Sequence, residues 1–97
     1  MKLKVEVRYL GYIKNLLKRD KDSFELREGA SISDLMSLLA EKYGEPFKKE
    51  VYETGMEDLK TGFVLTVNGT LMGQLNGIKT KLREGDEVSL MSLATGG

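Results

Sequence analysis

From Lys2 to Tyr9 apolar and charged residues alternate without interruption, Leu3, Val5, Val7 and Tyr9 against Lys4, Glu6 and Arg8. Neighbouring side chains of a strand point to opposite faces, so this segment reads as a strand with one face buried and one in water. A strand covered on both faces would read as a continuous apolar run. The sheet that contains it is therefore covered on one side, which leaves two-layer architectures.

The cover is one clear helix. Gly29-Ala30-Ser31-Ile32-Ser33-Asp34 is a helix start: Ser31 caps, Asp34 gives an aspartate form of the capping box, and its carboxylate suits the positive end of the helix dipole. Leu35, Leu38, Leu39 and Lys42-Tyr43, with Ile32 and Met36, carry an apolar stripe. Gly44 and Pro46 stand where a C-terminal glycine and a breaker belong.

The remaining segments are short. Ile13, Leu16 and Leu17 have helical spacing within Gly11 to Lys18, and the charged run Lys18-Arg19-Asp20-Lys21-Asp22 is expected to end that element in solvent. Phe24 and Leu26 alternate with Ser23, Glu25 and Arg27 as a second strand. Residues 45–61 read as loop with one helical turn. Phe63 to Val67 runs into Asn68-Gly69, the strongest two-residue hairpin signal, and then Thr70-Leu71-Met72. A glycine-rich crossing from Gly73 to Thr80 and a turn at Leu82 to Asp86 lead to a fifth strand, Glu87 to Leu93. The order predicts an α+β domain with a mixed sheet of about five strands, strands 1 and 5 parallel in its middle, and one main packing helix. Residues 1–93 form the single domain and 94–97 a flexible tail.

What the chain lacks narrows its chemistry. At 97 residues, 40% hydrophobic and 31% charged, it is one small globular unit. Fifteen Lys+Arg balance fifteen Asp+Glu, which removes the electrostatic drive of nucleic-acid binding. Without His or Cys there is no thiolate nucleophile, no zinc-thiolate site, and neither the commonest general base nor the commonest metal ligand. No catalytic residue and no metal site are expected. Glu84, Asp86 and Glu87 read as a solvated corner, and Gly73, Gly77 and Gly85 lack the spacing of a phosphate loop. No apolar run approaches the roughly 20 residues that span a bilayer, and Met1-Lys2-Leu3-Lys4 leads into strand instead of an apolar signal. The expected location is the cytoplasm.

Chemistry instead gathers at Thr95-Gly96-Gly97, directly after a strand. Glycine finishes a packed element poorly but lets backbone pass a narrow opening. Extended at about 3.3 Å per residue, Ala94 to Gly97 reaches roughly 13 Å, enough to enter a partner's pocket while the body stays outside. A carboxylate becomes an acyl donor once converted to an acyl adenylate, and a side chain on the last residue would crowd that reaction. The alternative is a frayed glycine terminus.

Val5-Glu6-Val7-Arg8-Tyr9, Gly29 to Leu35, Val67-Asn68-Gly69, Leu82 to Val88 and Gly96-Gly97, in that order, resemble the ubiquitin-like β-grasp sulfur carriers of the MoaD/ThiS family, and in particular the molybdopterin synthase small subunits. The resemblance implies that an E1-like adenylating enzyme of the MoeB/ThiF type activates the carboxylate of Gly97 with ATP. Sulfur transfer then makes a thiocarboxylate, and Thr95 and Gly96 thread into the large synthase subunit, of the MoaE type, which builds the dithiolene of the molybdenum cofactor. The carrier itself binds no cofactor; ATP belongs to the activating partner. One feature departs from the molybdopterin branch: Met91-Ser92-Leu93 stands where a Pro-Pro pair usually precedes the tail. A protein modifier joined to lysines, a thiamin thiazole carrier and an inert β-grasp interaction module are the competing readings.

The last strand adds a possible contact. With Val88 and Leu90 inward, alternation puts Ser92 inward and Met91 and Leu93 on the outer face beside the tail. Exposed there, Met91 and Leu93 would serve partner contact; a bulge after Leu90 would instead turn them into the core.

Overall fold

The computed structural model describes residues 2–51 and 62–92. Strand β1 (Lys2–Gly11) is followed by a short helix α1 (Tyr12–Leu17), strand β2 (Lys21–Arg27), the main helix α2 (Ile32–Tyr43) and a further helix α3 (Glu45–Val51). Strands β3 (Phe63–Val67), β4 (Thr70–Leu71) and β5 (Glu87–Ser92) complete the sheet, in the order β2-β1-β5-β3-β4. β1 and β5 run parallel at its centre, with Val7 opposite Val88 and Tyr9 opposite Leu90, and the other neighbours are antiparallel. This is the β-grasp arrangement.

The alternation of β1 is realised residue by residue: Leu3, Val5, Val7 and Tyr9 are buried, while Lys4, Glu6 and Arg8 are exposed. The same period puts Val88, Leu90 and Ser92 of β5 and Phe63, Leu65 and Val67 of β3 on the covered face. Helix α2 buries Ile32, Leu35, Met36, Leu39 and Ala40 against them, whereas Leu38 stays partly exposed at the margin. Each fully buried Leu or Ile of this stripe contributes about 1.5–3 kcal/mol relative to exposure. Ser31 caps α2 as anticipated: the Asp34 amide donates to Ser31 Oγ, and the Ser31 amide donates to Asp34 Oδ2 at 2.8 Å. The carboxyl of Asp34 is held below its usual range chiefly by that amide. Asn68 (φ 52°) and Gly69 (φ 87°) form the tight hairpin turn between β3 and β4.

Three expectations need correction. Residues 45–61 are not simply loop: α3 takes Glu45–Val51, with Pro46 in its first turn, where a missing N–H costs nothing. Phe47 and Val51, four apart, are both fully buried beneath it. Residues 52–61 lie outside the described residues. The charged run after α1 ends that helix in solvent through Lys18, Arg19, Asp20 and Lys21, all exposed, but its last residue departs from the expectation: β2 begins at Lys21 and turns the Asp22 side chain inward, leaving the residue 9% exposed. Met72 belongs to a single 3-10 turn, Met72–Gln74, instead of the fourth strand, and a second such turn, Gly77–Lys79, lies in the glycine-rich crossing.

Candidate functional site

The site is assembled at one end of the sheet, where β1 and β5 finish together. Ser92, the last residue of β5, lies opposite Gly11 on one side and Phe63 on the other. The expected tail, residues 94–97 with Thr95, Gly96 and Gly97, and Leu93, the second expected contact residue, lie outside the described residues.

Met91 is described, and alternation continues unbroken from Val88 to Ser92 with Ser92 buried. No bulge turns Met91 inward, so it occupies the uncovered face. Its cross-strand partners are Leu10 on β1 and Val64 on β3. Three apolar side chains from three strands therefore form one row across the open face, with Leu10 39% exposed and Met91 and Val64 half-buried. The next row places Leu71, 47% exposed, beside Thr66. Away from this end the face becomes charged, with Arg8 and Glu87 paired at 3.8 Å. Among the described residues of the strands, the apolar side chains of the open face lie toward the end at which β5 finishes.

The covered side of the same end is polar and tightly fixed. Ser92 Oγ donates to Glu50 Oε2 at 2.7 Å, which ties the end of β5 to α3. Gly11 has φ 69°, and a Cβ built on it would lie 2.6 Å from the Ser92 carbonyl oxygen. Only glycine permits this approach in this conformation. Close by, Asp22 accepts hydrogen bonds from the hydroxyls of Tyr9 and Tyr43, from Lys42 Nζ and from Arg19. Burial alone would raise the carboxyl, but the four donors outweigh it and hold Asp22 at about 2. Burial and the bond to Asp22 push the Tyr9 hydroxyl far above its ordinary value, so it remains a donor. This network is a structural clamp between β1, β2 and α2, with its acceptors filled.

The acidic corner is also structural. Glu84 Oε1 accepts from the Lys4 amide, and Asp86 accepts from Asn68 Nδ2 and from the Arg83 amide. Among the described residues no cluster of three or more potential metal ligands occurs, and no helix is long and apolar enough to cross a membrane. What this end can offer chemically is a recognition surface and a route for the chain beyond Ser92.

Sequence reasoning reached Met91 but missed Leu10, Val64, Gly11 and Glu50. Leu10 left a signal, being apolar where the alternation of β1 calls for a polar residue. Glu50 left none, because its partner is 42 positions away.

The model of the ThiS family matches residues 7–97. Among solved structures, the chain is similar to a protein named as molybdopterin converting factor subunit 1 from Pyrococcus furiosus, at 27% identity and TM-score 0.70, covering 95% of this chain and 99% of that one. It is similar to Urm1 from Trypanosoma brucei at 20% identity and TM-score 0.82, covering 99% and 97%. It also resembles small archaeal modifier protein 1 from Methanosarcina acetivorans at 22% identity and TM-score 0.80, covering 100% and 99%. No curated protein matches by sequence.

Proposed function

This chain belongs to the ThiS family of ubiquitin-like sulfur carriers, and from that premise we propose that it carries sulfur on Gly97 as the small subunit of a molybdopterin synthase. The observation that carries the reading is that the family match runs through Gly96-Gly97, so the terminal pair lies within the shared pattern. The likeness to the Pyrococcus furiosus molybdopterin converting factor subunit supports the branch. In the first step a carboxylate oxygen of Gly97 attacks the α-phosphorus of ATP in an E1-like enzyme, and pyrophosphate leaves. In the second, sulfur at the sulfide level, as HS⁻, attacks the acyl carbon, AMP leaves, the S–H proton is lost to solvent, and a thiocarboxylate remains. The partner supplies ATP and the catalytic groups; this chain supplies the acyl terminus, Thr95 and Gly96 to thread it, and the Leu10–Met91–Val64 row as a docking contact.

The neighbours named as Urm1 and as a modifier protein favour a second reading, in which a lysine amine of another protein attacks the same activated carbonyl and an isopeptide forms. Intact mass after incubation with ATP, the host's E1-like enzyme and its sulfur source separates the two. Exchange of one oxygen for sulfur at Gly97 supports carriage, and lysine-linked adducts support modification. An unchanged mass with a competent enzyme overturns both.

A further inference from the structure

Ser92 is an anomaly in its row. Alternation turns it to the covered face after Val88 and Leu90, where an apolar residue would bury surface at no polar cost, yet it is a hydroxyl and 4% exposed. The hydroxyl is satisfied by one partner, the carboxylate of Glu50 on α3. On its flanks Ser92 meets Gly11, whose missing side chain lets the backbone come close, and Phe63. The final described residue is thus held from β1, β3 and α3 together.

We propose that Glu50 and Ser92 form a positioning latch that fixes the point at which the chain leaves the sheet, with Gly11 as the backstop for the Ser92 carbonyl. The inference rests on the carrier reading above and deepens it, since it names residues that set how well Gly97 is delivered. Residues 93–97 reach at most about 16 Å from their root, so the position of Ser92 sets the region that Gly97 can sample, and a displaced root moves that whole region. Misplacement of a reacting group by about 1 Å is enough to cost up to about a hundredfold in rate. The latch lies on the covered side while the Leu10–Met91–Val64 row lies on the open side. Breaking it therefore spares docking of the body and affects delivery of the terminus. Glu50 and Ser92 are positioning residues, since neither is required to touch ATP or the acyl carbon.

The test compares the full-length protein with Glu50→Ala, Glu50→Gln, Ser92→Ala and Ser92→Thr, using amide hydrogen exchange and steady-state adenylation by the E1-like enzyme. Glu50→Gln keeps an amide oxygen that accepts from Ser92, and Ser92→Thr keeps the hydroxyl, so both should behave as wild type. Glu50→Ala and Ser92→Ala should lower protection of the Met91 and Ser92 amides by about tenfold while leaving Val88 and Leu90 unchanged. They should also lower kcat by about fivefold or more at constant KM for the carrier. Loss of folded protein reduces the effective carrier concentration and raises apparent KM at constant kcat; that pattern overturns the proposal. So does wild-type kcat in Glu50→Ala, or a Glu50→Gln variant as impaired as Glu50→Ala. If wild type is not adenylated the carrier reading falls and the latch with it, whereas active wild type with indifferent alanine variants removes the latch alone.

Discussion

Tyr9 Oη donates to Asp22 Oδ2 at 2.8 Å, joining the central strand β1 to the edge strand β2 through a carboxylate that α2 also grips with Lys42 and Tyr43. Tyr9 is 1% exposed, so it has no water to turn to if its acceptor is removed. Asp22→Ala is expected to cost about 3 kcal/mol by stranding that hydroxyl and separating the two cations from their partner. Urea melts measure it, and a loss below 1 kcal/mol would mean that the network is incidental.

The same carboxylate sets an acid limit. Its folded value of about 2 lies below the ordinary 3.8, so below pH 4 the unfolded chain takes up the proton more readily than the folded one. The contribution is complete above about pH 4 and is lost as pH falls toward 2, by up to about 2 kcal/mol. Asp22→Asn should flatten this part of the stability profile. Parallel profiles for wild type and variant would exclude Asp22 as the source.

Leu39→Ala is expected to cost about 2–5 kcal/mol, because Leu39 is fully buried under α2. Leu38→Ala, at the partly exposed margin, should cost clearly less. Equal losses in denaturant melts would contradict this assignment of the helix face.

Gly11→Ala combines a left-handed φ with the 2.6 Å approach to the Ser92 carbonyl, whereas Gly29→Ala has a positive φ and open space around it. The second should cost about 1–2 kcal/mol, from the backbone alone, and the first distinctly more. Thermal melts of the two variants side by side decide whether contact adds to strain.

A Leu10→Ser/Met91→Ser double variant should fold normally, since both side chains lie on the uncovered face, and should bind the E1-like enzyme or the large subunit more weakly by about 1–3 kcal/mol. Deleting Gly97 should leave melting unchanged and abolish adenylation. A stable double variant with full affinity would remove the apolar row from the docking surface.

Much of the fold was legible because it rests on local periodicity. β1, the capped start of α2 at Ser31 and Asp34, and the Asn68-Gly69 turn each declare themselves within a few residues. The missed features depend on distant partners. Asp22 reads as one more charge in a polar run, and only the approach of Tyr9 and Tyr43 makes it a buried acceptor. Phe47 and Val51 have helical spacing, but a helix of about two turns is barely distinguishable from loop when charges surround it. For the candidate site, alternation offered Met91 and Ser92 on opposite faces with a bulge as the alternative, and the unbroken strand pairing through Ser92 decides for alternation. Sheet register was needed to bring Leu10 and Val64 beside Met91, and packing of α3 to bring Glu50 to Ser92.

The parallel pairing of residues 2–11 with residues 87–92 also governs timing. β5 inserts between β1 and β3, so the centre of the sheet stays open until residues 87–92 have been made, and closing it joins segments far apart in sequence, Val7 with Val88 among them. A copy in which β5 is displaced leaves that slot unfilled and loses the Leu10–Met91–Val64 row, since Met91 is its middle member. On the carrier reading proposed above, a partner that docks on that row would engage only copies whose sheet is closed, so completion of folding would precede any chemistry at Gly97.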